Sequence, residues 1–480
     1  MATTLELSHW IGGKKQGGDR PAESLNPSDT RDVVARVPDG TADDVNAAVA
    51  AARAAFPAWS EASPEVRSDV LDKAGSLLMQ RAQEVGTLLS REEGKTLPEG
   101  IGETMRAARI LKYFAGEALR LHGQNLASTR PGVEVQTYRQ AVGVYGLITP
   151  WNFPIAIPAW KAAPALAFGN TVVLKPAGHT PATAEALVAI LHEAGLPEGV
   201  LNMVIGRGGV GQAIVDHPDV NAISFTGSQK VGAGVAAGAV ARQARVQLEM
   251  GGKNPLIVLN DADIERAVTI ALDGAFFSTG QRCTASSRLI VEEGIHDKFV
   301  AALAERVRAL RVGDALDKDT QVGPAASEDQ RETSYRYIEI ASKEGGRIVA
   351  GGDRPQMEKP GWYVQPTLIT DTEAAMRINN EEVFGPVASV IRAKDYEEAL
   401  HIANGVEFGL SAGIATTSLK YARDFQRRAR AGMVMVNLPT AGVDYHVPFG
   451  GIKSSSYGPR EQGFAAAEFF TQVKTAYSWS

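Results

Sequence analysis

The chain has 480 residues, which is too long for one ordinary hydrophobic core, so two or three domains are expected. A hydrophobic fraction of 44% and a charged fraction of 22% are typical of a globular protein and exclude a disordered one. The formal net charge of -6 provides no broad basic surface, so nucleic acid and anionic membranes are not expected as partners.

No segment is typical of a targeting signal or of a membrane span. The N-terminus lacks a basic start followed by an apolar stretch. The most apolar region, 154–174, is interrupted by Lys161 and by several prolines, so no run reaches the roughly 18 residues of a span. The single cysteine, Cys283, cannot form an intrachain disulfide, which fits a reducing compartment. We therefore expect a cytoplasmic protein.

The first half of the chain alternates helical and strand-like patterns. Thr41 and Asp44 form a capping-box pattern, which predicts a helix over 45–56. A second helical pattern covers 64–89. Four short apolar segments separated by helical ones then predict strands, at 142–148, 170–175, 200–205 and 221–225. Strands in this arrangement are typical of a parallel, doubly wound sheet.

The same alternation resumes after Asn254, where strands are predicted at 255–259 and 287–291. Two successive α/β units are therefore expected, with a boundary near the paired glycines at 251–252. The segment 345–361 is rich in Gly, Pro and charge, which predicts a surface turn region. The tail, 469–479, predicts an edge strand whose partner lies either in this chain or in another.

Cys283 lies in the segment Gly-Gln-Arg-Cys-Thr at 280–284. A lone cysteine is often a small buried hydrophobe. Here a glycine-containing turn and polar neighbours favour a reactive thiol, and Arg282 beside it can stabilise the thiolate. On this local setting both the nucleophile and the inert core thiol remain open.

Two other polar residues mark candidate positions. Glu249 ends an apolar strand just before paired glycines, where a carboxylate lies either on a cleft wall or on the surface. Asn152 lies between Pro150 and Pro154, which fix the backbone around it. Its amide can donate a hydrogen bond to a developing oxyanion or can simply hold a rigid loop.

Two glycine-containing segments are candidates for contact with a dinucleotide. The segment 206–211 matches G-x-G-x-x-G, but 228–234 contains no acidic residue to bind a ribose, so a tight strand-to-helix turn is the simpler prediction. The segment Phe-Thr-Gly-Ser at 225–228 leaves backbone N–H groups free either to receive a pyrophosphate or to cap a helix.

Taken in order, the motifs resemble the aldehyde dehydrogenase superfamily. They are 150–154, Lys175-Pro176, 225–228, 249–253, 280–283, 382–386 and 448–451. The spacing from Glu249 to Cys283, 283 − 249 = 34 residues, also agrees, and the resemblance runs from Asn26 to Thr475.

The resemblance implies an α/β fold of two doubly wound α/β domains and a small bridging β element. A Rossmann-like NAD(P)-binding domain would comprise 1–121 and 142–251, and a catalytic domain 252–463. The bridging, oligomerisation element would comprise 122–141 and 464–480, and it would pair across a homodimer or within a homotetramer.

The resemblance also implies oxidation of an aldehyde to a carboxylate with NAD or NADP. Cys283 would attack the aldehyde, Asn152 and the backbone N–H of Cys283 would hold the oxyanion, and Glu249 would activate the deacylating water. Sulfur readily forms the tetrahedral adduct, and water needs a general base to resolve the thioester, so the chemistry is coherent.

The resemblance assigns further positions to the cofactor. Lys175 would contact the adenosine ribose, Glu382 would contact the nicotinamide ribose, and Phe384 would pack near the nicotinamide. The other residues expected at the cofactor are Thr149, Pro150, Trp151, Gly178, Gly208, Phe225, Thr226, Gly227 and Ser228.

Two positions depart from the pattern of the family. Many NAD-preferring members carry a glutamate three residues after the lysine, where this chain has Gly178. Without that carboxylate a 2′-phosphate is not repelled, so use of both NAD and NADP is expected. Several members carry a glutamate, thought to relay a proton to the general base, where this chain has Gln472. Glu249 would then work through water alone, or another group would substitute.

The segments 436–446 and 459–463 resemble the group that oxidises 2-oxoglutarate semialdehyde (2,5-dioxopentanoate) to 2-oxoglutarate. Such a substrate needs a cationic or amide-rich pocket. Arg282 is a candidate for the charge, although it can equally pair with a helix, and Tyr445 and His446 are candidate donors. Candidate apolar walls, each of which can also be core, are Phe153, Trp160, Phe276 and Phe277. Succinic semialdehyde, aliphatic or aromatic aldehydes and amino-aldehydes remain open.

Three competing functions fit the sequence less well. A CoA-acylating dehydrogenase would not need the base Glu249. A non-catalytic binding relative would have lost Cys283 or Asn152, and both are present. An alcohol dehydrogenase rests only on the glycine motif at 206–211, and one cysteine and eight histidines without ligand spacing support no metal site.

Overall fold

The computed structural model describes residues 3–479. The chain first forms short strands and then four successive helices and a hairpin. These elements are β1 Leu5–Glu6, β2 His9–Ile11, β3 Lys14–Gln16, β4 Ala22–Asn26, β5 Asp29–Val37, α1 Ala42–Glu61, α2 Pro64–Gln80, α3 Ala82–Glu93, α4 Leu97–Arg120, β6 Gln124–Ala127 and β7 Val133–Gln140.

The middle of the chain alternates strands and helices. Its elements are β8 Val144–Ile148, α5 Ala156–Ala167, β9 Thr171–Lys175, α6 Pro181–Glu193, β10 Leu201–Met203, α7 Gly208–Asp216, β11 Ala222–Thr226, α8 Gln229–Ala241, β12 Arg245–Glu249, β13 Asn254–Val258, α9 Ile264–Phe276, β14 Ser286–Glu292 and α10 Glu293–Arg308.

The last part continues the alternation and ends in a strand. Its elements are α11 Glu328–Lys343, β15 Arg347–Ala350, β16 Thr367–Thr372, β17 Val387–Ala393, α12 Tyr396–Asn404, β18 Phe408–Gly409, β19 Ser411–Ala415, α13 Leu419–Arg428, β20 Met433–Val436, β21 Ile452–Lys453, β22 Ser456–Tyr457, α14 Ala466–Phe470 and β23 Gln472–Trp479.

Two large sheets form the centre of the molecule. The first has eight strands in the order β22-β12-β11-β8-β9-β10-β2-β3, and its five central strands are parallel. The second has seven strands in the order β15-β16-β17-β14-β13-β19-β20, of which only β15 is antiparallel to its neighbour. Helices cover both sheets, and this architecture confirms the predicted α/β fold with two doubly wound units.

A third sheet, of three antiparallel strands, has the order β23-β7-β6. The C-terminal strand β23 pairs with β7 over its whole length, from Gln472 opposite Gln140 to Trp479 opposite Val133. The partner of the tail therefore lies in the same chain. Phe469 and Phe470 are not part of this strand, because they belong to α14 and their rings are buried in the core beneath the first sheet.

Two other local predictions need correction. The helix predicted over 64–89 is divided into α2 and α3 at Arg81, whose φ of -100° and ψ of 15° leave the helical range. The surface turn region predicted at 345–361 contains the strand β15, because Arg347 and Ile348 pair with Thr370 and Ile369 of β16. No helix within residues 3–479 is both long and apolar enough to cross a membrane.

The topology places several polar residues at one edge of the first sheet. Thr149 follows β8, while Lys175, Thr226 and Glu249 end β9, β11 and β12. The carboxyl ends of parallel strands are the usual ligand site of such sheets. A short connection at 250–253 leads from this edge directly to β13 of the second sheet, so the two sheets meet beside these residues.

Candidate active site

Cys283 follows a strained turn that begins where α9 ends. Ser278, Thr279 and Gly280 have φ values of 50°, 54° and 63°. This left-handed conformation costs a non-glycine residue about 1–3 kcal/mol and persists only where the surroundings hold it. The carbonyl of Cys283 is held in turn by Asn254, whose Nδ2 donates to it at 2.8 Å and to the carbonyl of Ala285 at 2.9 Å.

The paired glycines beside the nucleophile allow a close approach of three chain segments. A Cβ atom on Gly252 would lie 2.5 Å from the carbonyl oxygen of Cys283, and one on Gly251 would lie 2.4 Å from the carboxylate of Glu382. Both distances are shorter than any real contact. Glycine is therefore required at 252, where the obstacle is backbone, while a side chain at 251 would displace the Glu382 carboxylate; the backbone N–H of Gly252 donates to Glu382 Oε1 at 2.8 Å.

Asn152 is brought to the nucleophile turn. Its buried side chain donates from Nδ2 to the carbonyl of Gln281 at 2.9 Å, and its own carbonyl accepts from Lys95 Nζ at 2.7 Å. An amide nitrogen carries two hydrogens. One serves Gln281, so the second is free, among residues 3–479, to donate to an oxyanion formed at Cys283.

Glu249 is buried and has an acidic neighbour that the sequence did not indicate. Its Oε2 accepts from Ser456 Oγ at 2.5 Å. Burial and the nearby carboxylate of Glu461 raise the pKa of Glu249 well above its ordinary value. Glu461 is itself paired with the fully buried Lys161, whose Nζ also donates to Ser224 Oγ at 2.8 Å. A carboxyl with a raised pKa suits a general base.

The thiol of Cys283 lies in an environment that favours its neutral form. Burial, followed by the charges of Glu249 and Glu382, raises its pKa to about 12. The charge of Arg282 does interact favourably with a Cys283 thiolate, as predicted, but burial and the two carboxylates outweigh it. The guanidinium of Arg282 donates to the carbonyl of Asp273 and lies 3.8 Å from the Asp273 carboxylate at the end of α9, and the side chain also lines the cavity that contains the thiol.

A cavity of about 410 Å³ contains the thiol. Three of the predicted apolar walls line it, namely Phe153, Trp160 and Phe277, and Phe449 joins them with its ring 5.5 Å from that of Trp160. Phe276 does not line it, because its ring is fully buried in the core of the second sheet.

Tyr445 and His446 do not line this cavity either, which corrects their predicted role. The loop that carries them reaches the cavity through Gly442 and Val443. The ring of Tyr445 instead packs edge-on against Tyr113 of α4, with centroids 6.3 Å apart, and against His446.

Three cations among the described residues line the cavity, Lys95, Arg106 and Arg282, and the sequence pattern did not indicate Arg106 of α4. Its guanidinium lies 5.8 Å from the centre of the Trp160 ring. Its Nε is inaccessible to solvent and, within residues 3–479, has no hydrogen-bond acceptor. Burial lowers the pKa of Arg106. A partly buried guanidinium without a paired carboxylate is ready to bind an anion. Within one helix, the sequence pattern could not show which arginine faces a cavity.

Several residues predicted at the cofactor lie at the carboxyl edge of the first sheet. The hydroxyls of Thr149 and Thr226 are buried and have no partner within residues 3–479. A Cβ atom on Gly178 or Gly208 would meet open space. Buried donors without partners beside open backbone fit a polar ligand such as a dinucleotide.

Other predicted cofactor residues follow the same strands or contact residues that do. The rings of Trp151 and Phe384 contact edge to face at 5.5 Å, next to Pro150 in sequence. Lys175 Nζ donates to the carbonyl of Pro176 at 2.7 Å, and burial lowers its pKa to about 8. Ser228 is the exposed residue before α8.

Two predicted cofactor contacts can involve only the backbone. The ring of Phe225 is buried in the core, and a Cβ atom on Gly227 would lie 2.5 Å from it. Gly208 begins α7 just after β10, so the segment 206–211 is the tight strand-to-helix turn that was predicted. Among residues 3–479, no group of three His, Cys, Asp or Glu side chains is arranged to hold a metal ion.

Comparison with known proteins decides the family. Residues 13–476 match the Aldehyde dehydrogenase family. The chain belongs to the aldehyde dehydrogenase family. This dehydrogenase is 46% identical over 471 residues to the alpha-ketoglutaric semialdehyde dehydrogenase of Bacillus subtilis (strain 168), covering 98% of this chain and 96% of that relative.

Two further proteins are similar over almost the whole length. The alpha-ketoglutarate semialdehyde dehydrogenase of Haloferax volcanii is 46% identical over 459 residues, which are 95% of each chain. The betaine aldehyde dehydrogenase of Staphylococcus aureus, solved in complex with NAD+, has a TM-score of 0.96 and 34% identity, covering 99% of this chain and 95% of that chain. The dehydrogenase is therefore an oxidoreductase that oxidises aldehydes with NAD(P).

Gln472 lies away from the site of the dehydrogenase, although its position was expected to affect proton relay. It is exposed at the start of β23, where its Nε2 donates to the carbonyl of Ala141 at 3.4 Å. The carboxyl group whose charge acts on Glu249 is that of Glu461. Of the two explanations offered from the sequence, substitution by another group agrees with this geometry.

Proposed function

We propose that this dehydrogenase oxidises 2-oxoglutarate semialdehyde to 2-oxoglutarate through a thioester on Cys283. The observation that carries the substrate assignment is Arg106, the one cation of this cavity without an ion pair among residues 3–479, since Lys95 is paired with Glu103 and Arg282 with Asp273. A semialdehyde presents its aldehyde to Cys283 and a carboxylate at its far end to Arg106. The similarity to the alpha-ketoglutarate semialdehyde dehydrogenases of Bacillus and Haloferax supports the same substrate.

Formation of the tetrahedral adduct uses Cys283 and Asn152. The sulfur attacks the aldehyde carbon, and the thiol proton leaves as the carbon–sulfur bond forms. Glu249, whose charge already acts on the thiol, is a nearby base that can accept this proton, and water accepts it where the carboxylate is absent. The free amide hydrogen of Asn152 and the backbone N–H of Cys283 stabilise the oxyanion, which contributes roughly 3–4 kcal/mol per donor at such sites.

The cofactor residues keep their proposed roles. Lys175 binds the adenosine ribose, Glu382 binds the nicotinamide ribose, and Phe384 packs near the nicotinamide, while the hydroxyls of Thr149 and Thr226 supply buried hydrogen bonds. When bound, NAD(P) accepts the hydride that leaves the adduct, and Cys283 is then acylated.

Deacylation depends on Glu249. Its deprotonated carboxylate removes a proton from the water that attacks the thioester carbonyl, which releases the acid and restores the thiol. Lys161 and Glu461 form a buried ion pair, and the charges of both residues act on Glu249. A proton accepted by Glu249 thus has a second carboxylate, Glu461, close by.

Removing the charge of Arg106 tests the substrate assignment. In Arg106→Met we expect kcat/KM for 2-oxoglutarate semialdehyde to fall roughly 10²–10³-fold, since losing one partner of a buried charge pair costs about 3–4 kcal/mol. The measurement is reduced-cofactor formation at varied substrate concentration. Arg109→Met, an exposed arginine one turn away, is the matched control and should behave as wild type.

The same assay separates the alternatives. A neutral aliphatic aldehyde should be oxidised equally by wild type and Arg106→Met, because it offers no carboxylate. If Arg106→Met lowered both substrates alike, Arg106 would not be the carboxylate site. If wild type preferred succinic semialdehyde, the carboxylate site would stand and the chain length assigned to the substrate would be wrong.

We also propose use of both NAD+ and NADP+, supported by the open space beside Gly178. Gly178→Glu should lower the NADP+/NAD+ ratio of kcat/KM by roughly 10-fold or more, since a like charge beside the 2′-phosphate is repelled. Steady-state kinetics with each cofactor measures this ratio, and Gly178→Gln controls for size without charge. An unchanged ratio in Gly178→Glu would show that this position does not select the cofactor.

We further propose that the dehydrogenase is a homodimer or homotetramer in the cytoplasm. The three-stranded sheet exposes Leu126, Tyr138, Val473, Tyr477 and Trp479, an apolar set that a second copy of the chain would cover. The edge strand β20, Met-Val-Met-Val, is only partly buried and offers a second apolar surface for such pairing. A catalytic thiol that must stay reduced supports the cytoplasm.

A further inference from the structure

One face of α4 contacts both loops of the candidate active site. Glu99, Glu103 and Arg106 are spaced four and three residues apart, which places them on the same side of the helix. All three line the cavity that contains Cys283. Arg106 belongs to the substrate proposal, whereas the two carboxylates have no part in the reaction as described so far.

Glu99 joins the start of α4 to the turn that precedes the nucleophile. Its Oε2 accepts from the backbone N–H of Thr96 at 3.0 Å and from Thr96 Oγ1 at 2.7 Å, which caps the helix and fixes the carboxylate. Its Oε1 accepts from the backbone N–H of Ser278 at 2.7 Å and from Ser278 Oγ at 2.9 Å. One side chain therefore spans helix and turn.

The turn needs such support because Ser278 and Thr279 have positive φ values, a conformation that non-glycine residues rarely adopt. Thr279 is held by a hydrogen bond from its Oγ1 to the carbonyl of Gly323 at 3.0 Å. Ser278 is held by Glu99. The carbonyl of Gln281, which receives Asn152, and the thiol of Cys283 follow in the same turn, so a shift of Ser278 moves both.

Glu103 acts on the other loop. Its Oε1 accepts from the backbone N–H groups of Ile155 and Ala156 at 3.1 Å each, and so caps the start of α5 from outside. Its Oε2 accepts from Lys95 Nζ at 2.6 Å, and the same Nζ donates to the carbonyl of Asn152. Helix α4 thereby fixes the backbone of the oxyanion donor.

We infer that Glu99 and Glu103 are positioning residues that set, on one rigid helix, the separation between the nucleophile turn and the Asn152 loop. This inference rests on the roles proposed for Cys283 and Asn152. Attack requires the reacting atoms to lie within about 3–3.5 Å in a defined orientation, and an error of about 1 Å can cost roughly 10²-fold in rate. The two carboxylates remove that error before the substrate binds.

Single-turnover kinetics of Glu99→Ala tests the inference. With enzyme in excess over aldehyde, the rate constant of reduced-cofactor formation reports only active molecules, so a partly unfolded sample does not lower it. We expect this constant to fall roughly 10–100-fold. Glu99→Gln should lie nearer wild type, because its amide oxygen still accepts from Ser278. Glu117→Ala, on the same helix and ion-paired with Arg120 away from the cavity, is the control and should match wild type.

Two further variants keep the test decisive. Ser278→Ala deletes only the hydroxyl donor of the contact and should slow the same step several-fold, which serves if Glu99→Ala does not fold. Glu103→Gln should slow it as well, because the charge that holds Lys95 is lost. Folded Glu99→Ala and Ser278→Ala with wild-type rate constants would overturn the inference. An active Cys283→Ala in the same assay would instead overturn the proposed function.

Discussion

Replacing Cys283 by alanine is expected to abolish aldehyde oxidation, with a fall in kcat of roughly 10⁴-fold or more. The reason is chemical: an aldehyde has no leaving group, and hydride can depart only from the tetrahedral adduct that the sulfur forms. Because Cys283 is the only cysteine in the chain, no second thiol can replace it. The measurement is NADH or NADPH formation with purified Cys283→Ala and wild type.

The control for this prediction is binding rather than turnover. Cys283→Ala should still bind NAD(P)+ with an affinity close to that of wild type, since the residues assigned to the cofactor are unchanged. Full oxidation activity in Cys283→Ala would refute the thioester mechanism.

Glu249→Gln is expected to stop the enzyme after one turnover. The amide cannot accept a proton from water, so the thioester accumulates and steady-state turnover falls roughly 10²–10⁴-fold. Stopped-flow absorbance should then record a burst of reduced cofactor close to one per active site, followed by a slow phase. A variant without any burst would show that Glu249 is required before acylation, as the acceptor of the thiol proton.

The pH dependence of wild type follows from the same carboxyl group. Burial and Glu461 raise the pKa of Glu249, so the base form is lost at a higher pH than for an ordinary glutamate. The steady-state kcat should therefore rise with pH through this raised pKa and level off above it. Glu249→Gln should lose this rise. Glu117→Ala, remote from the site, should retain it.

The fold was predictable because its signals are local. Alternating apolar strands and helices identified the two parallel sheets. The prolines around Asn152 and the paired glycines after Glu249 marked the loops that come together near Cys283. Glycine at 252 has a physical reason, since the carbonyl of Cys283 leaves no room for a Cβ atom, and at 251 a Cβ atom would displace the Glu382 carboxylate.

The polar network was not predictable because it joins residues far apart in sequence. Glu461 lies more than 200 positions from Glu249, and Lys161 is a buried cation in a helix that reads as uniformly apolar. Arg282 was chosen for its nearness in sequence to the thiol, yet its side chain turns to the end of α9. Arg106 was assigned to the substrate carboxylate in place of Arg282 because Arg282 pairs with Asp273. Such a pairing depends on packing, which the linear pattern does not contain.

Mass spectrometry of Glu249→Gln after reaction with 2-oxoglutarate semialdehyde and NAD+ would detect the covalent intermediate itself. We expect one 2-oxoglutaryl group per chain, located on the peptide that contains Cys283 and removed by hydroxylamine, as a thioester would be. A burst of NADH without any acyl group on that peptide, or an acyl group on another residue, would contradict the thioester mechanism.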